Sequence, residues 1–126
     1  MLAREVPRAE WVRFFDTFSK QHEGWIATIE LIGAQLGDQM ESTRLPLVGL
    51  SADTKGRESR IEIMVGDKPD AHVTRIINAP KRVLLKEPEE PAHEAIEVES
   101  DDGVITLLHF RHIPPEQAER QLPGRI

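Results

Sequence analysis

Residues 7–25, PRAEWVRFFDTFSKQHEGW, contain the clearest structural signal in the chain. Pro7 suits the first position of a helix, where its missing N–H needs no partner. Gly24 suits a helix end, because glycine tolerates the positive φ often found there. We therefore predict a helix over residues 7–22. Four aromatic residues recur on it at i, i+3, i+4 and i+7, the spacing of one helical face: Trp11, Phe14, Phe15 and Phe18.

This aromatic face holds most of the large side chains that are available to a core. Five of the six aromatic residues lie on the predicted helix or at Trp25, just after it. The remaining core volume must come from Ile, Leu and Val. We expect the helix to cover the core, with Trp11, Phe14 and Phe18 buried against a sheet.

From Trp25 onward, apolar residues recur with a period of two, which is typical of β-strands. The predicted strands are short, and turn residues separate them at intervals of roughly 8–12 residues. No predicted helix lies between the strands, so the sheet is expected to be mostly antiparallel. The predicted strands are 25–32, 45–52, 60–65, 72–77, 82–86, 94–100 and 104–110.

Three segments of this body have distinct features. Segment 33–43 is polar and carries glycines, which predicts a loop or a hairpin edge. Pro46 and Gly49 are expected to place strand 45–52 at a sheet edge or to introduce a bulge. Residues 72–77 fit a strand or one helical turn, and their β-branched content favours the strand.

The best hairpin joins residues 94–100 to 104–110. An Asp-Gly pair at 102–103 supplies the residues that a tight turn requires. The alternation directs the apolar residues of the first strand inward and directs Glu97 and Glu99 towards water.

Together these features predict one α+β domain over residues 1–126. An N-terminal amphipathic helix caps a mostly antiparallel body, which is a small, partly open β-barrel or a sheet of six to seven strands. The body spans residues 25–110, and a proline-bearing tail follows at 111–126.

Composition excludes several classes of function. With 39% apolar and 30% charged residues, the chain is predicted to be globular. Its net charge of -6 opposes nucleic-acid binding, which needs a basic surface. The absence of cysteine excludes disulfides, thiolate nucleophiles and cysteine-based metal sites. The N-terminus lacks the pattern of a signal peptide and no apolar run is long enough to span a membrane, so we expect a cytoplasmic protein without a membrane partner.

Several stretches of the chain resemble a known family. The most specific is FFDTFSKQHEGW at 14–25, with the pattern FFDxFSxxHxGW. LPLVG at 45–49, RIEIMVG at 60–66 and DGVITLLHF at 102–110 add to it. Over about residues 5–111 the chain resembles a family of short bacterial proteins catalogued as a domain of unknown function. The resemblance implies a freestanding bacterial domain and brings no activity, cofactor or catalytic residue.

Two histidines form one candidate site. His22 and His72, with Asp16 or Asp70, would supply two nitrogens and a carboxylate if the fold brought them together. In the simpler interpretation, His22 caps the helix C-terminus, where a cation is favourable, and His72 is a solvated strand residue. We favour the simpler interpretation, because nothing in the spacing enforces convergence.

Trp25 is the other candidate. It lines a ligand-binding pocket with His22 in one interpretation, and it is a core anchor in the other, which is the commoner role of a large aromatic. No serine lies in a nucleophile-elbow sequence. Glu97 and Glu99 are better explained by a solvated acidic face than by a catalytic pair. We therefore assign no catalytic residue and no metal site.

These observations favour a non-enzymatic binding or interaction module that needs no cofactor and acts on a protein partner or on a second copy of itself. Open strand edges invite pairing, so we expect a homodimer whose interface avoids the face of Glu97 and Glu99. The alternative is a small enzyme or metal-dependent hydrolase that uses His22, His72 and a nearby carboxylate.

Overall fold

The computed structural model describes residues 2–33, 37–55, 59–87 and 93–112. A 3₁₀ helix at Arg8–Glu10 leads into helix α1, Trp11–Gln21, close to the predicted bounds of 7–22. Residues 113–126, most of the predicted tail, lie outside the described residues. The strands are β1 Leu2–Glu5, β2 Ile26–Gly33, β3 Gly37–Asp53, β4 Arg60–Lys68, β5 Ala71–Asn78, β6 Pro80–Glu87, β7 His93–Ser100 and β8 Ile105–Arg111.

The strands form one antiparallel sheet in the order β1-β6-β7-β8-β2-β3-β4-β5. Its ends, β1 and β5, do not pair with each other, so the sheet is not closed. The predicted α+β class and the antiparallel sheet are confirmed, but the described sheet has eight strands instead of six to seven. The additional strand is β1, which is short and precedes the helix.

β3 is the longest strand and changes partner along its length. Up to Pro46 it pairs with β2, and from Leu47 it pairs with β4. Proline cannot donate to a ladder, and Pro46 stands where one ladder ends and the next begins. A register shift between Leu47 and Gly49 confirms the predicted bulge. The predicted position at an outer edge of the sheet is wrong, because β3 lies between β2 and β4, although in the described residues no strand pairs with the β2 side of β3 after Pro46.

Two alternatives from the sequence are decided by strand pairing. In segment 33–43 the hairpin is correct and the loop is wrong: β2 runs to Gly33 and pairs there with Gly37, the first residue of β3. Pairing with a neighbour imposes strand geometry on a polar stretch that has weak strand preference. Residues 34–36 lie outside the described residues. The other segment, 72–77, is a strand within β5, as the β-branched content favours.

Helix α1 lies along the edge of β3 that β2 leaves free. The Ser19 Oγ accepts a hydrogen bond from the backbone N–H of Leu50 at 3.1 Å. Just after the helix, the Leu47 N–H bonds to the Trp25 carbonyl and the Gly24 N–H bonds to the Leu47 carbonyl. The helix therefore takes the place of a strand beside the second part of β3. None of the described helices is long and apolar enough to cross a membrane.

The helix buries a slightly different set of aromatics from the predicted one. Trp11 and Phe18 are buried as predicted, but Phe15 is fully buried and Phe14 is only half-buried. Residues 14 and 15 both belong to the aromatic face, and spacing alone does not decide which one points to the centre of the core. The aliphatic residues around them include Ile29, Leu47, Ile61, Ile63, Ile77, Ile96 and Leu108.

The predicted β7–β8 hairpin is confirmed. Ile96 pairs with Leu108 and Val98 with Thr106, and all four are buried. Gly103 in the turn has φ of 87°, which glycine adopts without strain. The register places Glu97 and Glu99 of β7 on the opposite face, as the alternation requires.

Ion pairs cover that opposite face. Glu97 lies 2.9 Å from Lys86, and Glu99 lies 3.2 Å from Arg82. Both carboxylates are partly buried by their neighbours rather than fully solvated. The acidic residues therefore tie β7 to β6 instead of forming an isolated acidic surface.

The carboxylate of Asp102 orders the hairpin turn. Its Oδ1 accepts hydrogen bonds from the Ser100 hydroxyl at 2.7 Å and from the Val104 N–H at 3.0 Å. These bonds favour the charged form and hold the pKa of Asp102 below its ordinary value of 3.8. The turn is thus stabilised by a carboxylate that stays ionised into acid solution.

Phe15→Ala should lower the free energy of unfolding by about 3–5 kcal/mol, because the fully buried ring leaves a cavity in the core. Phe14→Ala should cost less than half as much, since Phe14 already contacts solvent. Urea unfolding of both variants measures the difference. Equal losses would contradict the central place of Phe15.

Candidate binding cleft

A cleft of about 340 Å³ lies between α1 and the strands β1, β6 and β7. The helix contributes its face from Glu10 to His22, and Arg4, Leu85 and Glu94 supply the opposite wall. This volume lies in the range of about 300–1,000 Å³ that is typical of ligand pockets. The cleft is therefore large enough for a small molecule or a few residues of a peptide.

His22 closes one end of the cleft. It is the C-cap of α1, and the residue is only 6% exposed. Its ring stacks on Phe18 with 3.8 Å between ring centroids and 8° between planes. Trp25 packs edge-on against it at 4.4 Å. Aromatic packing on two sides fixes the orientation of the imidazole.

Both nitrogens of His22 have partners. Nδ1 lies 2.8 Å from the Phe18 carbonyl oxygen, which only accepts hydrogen bonds, so Nδ1 carries a hydrogen. Nε2 lies against the Glu94 Oε2, a contact that is an ion pair only when both nitrogens of the imidazole carry a proton. The pair therefore joins the end of α1 to β7 and forms a fixed wall of the cleft.

Two arginines line the cleft from different elements. Arg4 projects from β1 and Arg13 from α1. Arg8, by contrast, lies near the cleft but is engaged elsewhere: its guanidinium bonds to the Ser59 hydroxyl and lies 5.3 Å from the ring centre of Trp11. Phe14 and Leu85 provide apolar surface between the charged groups.

The fold brings together two of the three predicted site residues. His22 and Trp25 are in contact, whereas His72 does not line the cleft and is exposed on the edge strand β5. The Nδ1 of His72 lies 3.3 Å from the Lys68 carbonyl oxygen. In the described ranges, no three His, Asp or Glu side chains are grouped in a way that could hold a metal ion.

The simpler interpretation of His22 as a helix cap is thus correct, and the convergence of His22 with His72 is not found. Of the two candidate carboxylates, Asp16 lies 3.3 Å from Lys20 on the surface of α1, and Asp70 is exposed in the turn before β5. Ligand binding by His22, Trp25 and His72 stays a prediction.

Glu94, Arg4 and Arg13 also line the cleft, and none of them was among the predicted site residues. The strand alternation could have indicated Glu94. It lies two residues before Ile96 and four before Val98 in β7, so its side chain points to the same inner face. Arg4 had no such signal, because β1 was not recognised as a strand.

A double-mutant cycle tests the His22–Glu94 contact. His22→Phe keeps a ring against Phe18, and with Glu94→Gln it should show a coupling energy of about 1–2 kcal/mol in urea unfolding, since the contact is largely buried. The exposed Asp16–Lys20 pair is the control, with an expected coupling below about 0.5 kcal/mol. Equal couplings would mean that the His22–Glu94 pair does not hold α1 to β7.

Comparison with known proteins identifies relatives of unknown activity. Residues 2–120 match the model of DUF5335, described as a family of unknown function. The chain is 29% identical over 115 residues to an uncharacterized protein from Aquifex aeolicus (strain VF5). The aligned residues cover 91% of this chain and 97% of that protein. No solved structure gives a significant match. The family model covers nearly the whole chain, in agreement with the resemblance seen in the sequence, and the chain therefore belongs to DUF5335, a family of unknown function.

Proposed function

We propose that the protein is a non-enzymatic binding module of the cytoplasm that receives a short segment of a partner protein in the cleft. The observation that carries the proposal is the composition of the cleft walls. Phe14 and Leu85 offer apolar surface, and Arg4 and Arg13 offer charged donors beside it. Such a mixture of apolar area with a few placed polar groups is typical of recognition sites.

The engagement of His22 favours binding over catalysis. A general base needs a nitrogen free to take a proton from a substrate. Here Nδ1 faces the Phe18 carbonyl oxygen and Nε2 faces Glu94, so the imidazole serves to join two elements. The alternative enzyme with His22 and His72 loses its main support, because His72 lies on a different strand outside the cleft.

The position of β1 favours a peptide as the ligand. β1 supplies Arg4 and lies at one end of the described sheet, where it pairs with β6. Edge strands present backbone N–H and C=O groups to which an extended segment can add. A peptide in the cleft can thus combine side-chain contacts with backbone hydrogen bonds.

Selection of peptides from a random library displayed on phage tests the proposal. Selected peptides should bind the wild-type chain in fluorescence anisotropy and lose at least about tenfold in affinity with Thr17→Trp, which places a large ring in the cleft. Val12→Trp is the matched control, because Val12 has the same branched shape and is exposed on α1 outside the cleft.

Two outcomes contradict the proposal. One is that no peptide is enriched. The other is that the enriched peptides bind Thr17→Trp as tightly as Val12→Trp, which would place the binding surface elsewhere. Thermal unfolding of both variants verifies that they are folded.

We also propose that the chain forms a homodimer through the outer face of β3, β4 and β5. Val48, Met64 and Ile76 are 43%, 39% and 42% exposed, and they lie on these three strands. Arg60 and Glu62 on β4 carry opposite charges, which suits a contact in which one face meets its own copy. This surface is also separate from the strands that carry Glu97 and Glu99.

Light scattering over a range of concentrations tests the dimer. The wild-type chain should give twice the 14.3 kDa of one chain, and the Met64→Lys, Ile76→Lys double variant should give the mass of a monomer. Val12→Lys changes an exposed apolar residue off this face and should stay dimeric. A wild-type mass of 14.3 kDa at every concentration would overturn the dimer.

A further inference from the structure

Arg4 and Arg13 carry charge into the cleft without a counterpart in the described part of the chain. Neither guanidinium has an ion pair or hydrogen bond there. Arg82 lies 3.2 Å from Glu99 and Arg8 bonds to Ser59, whereas the side chains of Arg60, Arg75 and Arg111, like those of Arg4 and Arg13, have no ion pair or hydrogen bond with a described residue. What distinguishes Arg4 and Arg13 is their place: both residues are exposed and line the same cleft, so their N–H donors are open to a ligand there.

The carboxylates of the cleft do not neutralise these arginines. Glu94 lies against His22 at the closed end. Glu10 lies on the helix wall and has no recorded ion pair with a described residue. Guanidinium groups bind carboxylates through paired N–H donors with a geometry that lysine does not offer. The unpaired donors of the cleft therefore suit an anion supplied by a ligand.

We propose that the bound segment is acidic, an inference that rests on the proposed function of the cleft as a peptide site. An Asp or Glu carboxylate of the partner binds between Arg4 and Arg13, and an adjacent apolar side chain packs on Phe14 and Leu85.

Sequencing of the selected peptides and two arginine variants test this inference. The peptides should be enriched in Asp and Glu next to Leu, Ile or Phe. Arg4→Gln and Arg13→Gln should each weaken binding about tenfold, as loss of a charged hydrogen bond does. Arg111→Gln removes an exposed arginine of β8 outside the cleft and should change the affinity less than about twofold. Replacing the acidic residues of the peptide by Gln or Asn should reproduce the loss.

The outcomes separate this inference from the proposal on which it rests. The selected peptides could lose affinity with Thr17→Trp, lack acidic residues and bind both arginine variants normally. That result would overturn the acidic ligand and leave the peptide site in place. Peptides insensitive to Thr17→Trp would overturn both. Displacement of an acidic peptide by inorganic phosphate at submillimolar concentration would mean that the arginines hold a phosphate group, and would overturn the acidic segment as their ligand.

Discussion

The architecture depends on which groups bond to the backbone of the second part of β3, on the side where pairing with β2 has ended. Backbone donors left unpaired in a protein interior cost free energy comparable to a lost hydrogen bond. Here a helix meets the need, because the Ser19 hydroxyl accepts the N–H of Leu50. This contact sets the distance and direction of α1 along the sheet. Phe15 then points into the core, and His22 at the end of the helix reaches Glu94 on β7. The cleft is the space that this arrangement leaves on the other side of the helix.

Local signals in the sequence were sufficient for much of the fold. The aromatic spacing of α1 and the alternation around the Asp-Gly turn depend on neighbours within one element, and both predictions are confirmed. Errors arose where a distant partner decides the outcome. Leu2–Glu5 becomes a strand because β6 lies beside it, and Pro46 is central because β3 changes partner there. The choice between Phe14 and Phe15 likewise depends on the direction from which the sheet meets the helix.

The candidate site was predictable only in part, for a related reason. His22 and Trp25 are three residues apart, so their contact follows from the helix end between them. The alternation in β7 predicts that Glu94 points inward, but it does not predict that His22 is its partner. The pairing of His22 with His72 failed because strand order, which one sequence does not specify, places β5 at the edge opposite to β1. Arg4 reaches the cleft solely through a long-range strand pairing.

That pairing has a consequence for the order of folding. β1 joins residues 2–5 to residues 84–87, whereas the pairs β2–β3, β3–β4, β4–β5, β6–β7 and β7–β8 each join consecutive strands. Contacts between distant residues close late, because the loop-closure entropy must be overcome first. During synthesis the first strand leaves the ribosome long before its partner does. The wall that holds Arg4 is therefore among the last parts of the sheet to assemble, so a nascent chain has its hairpins before it has the cleft.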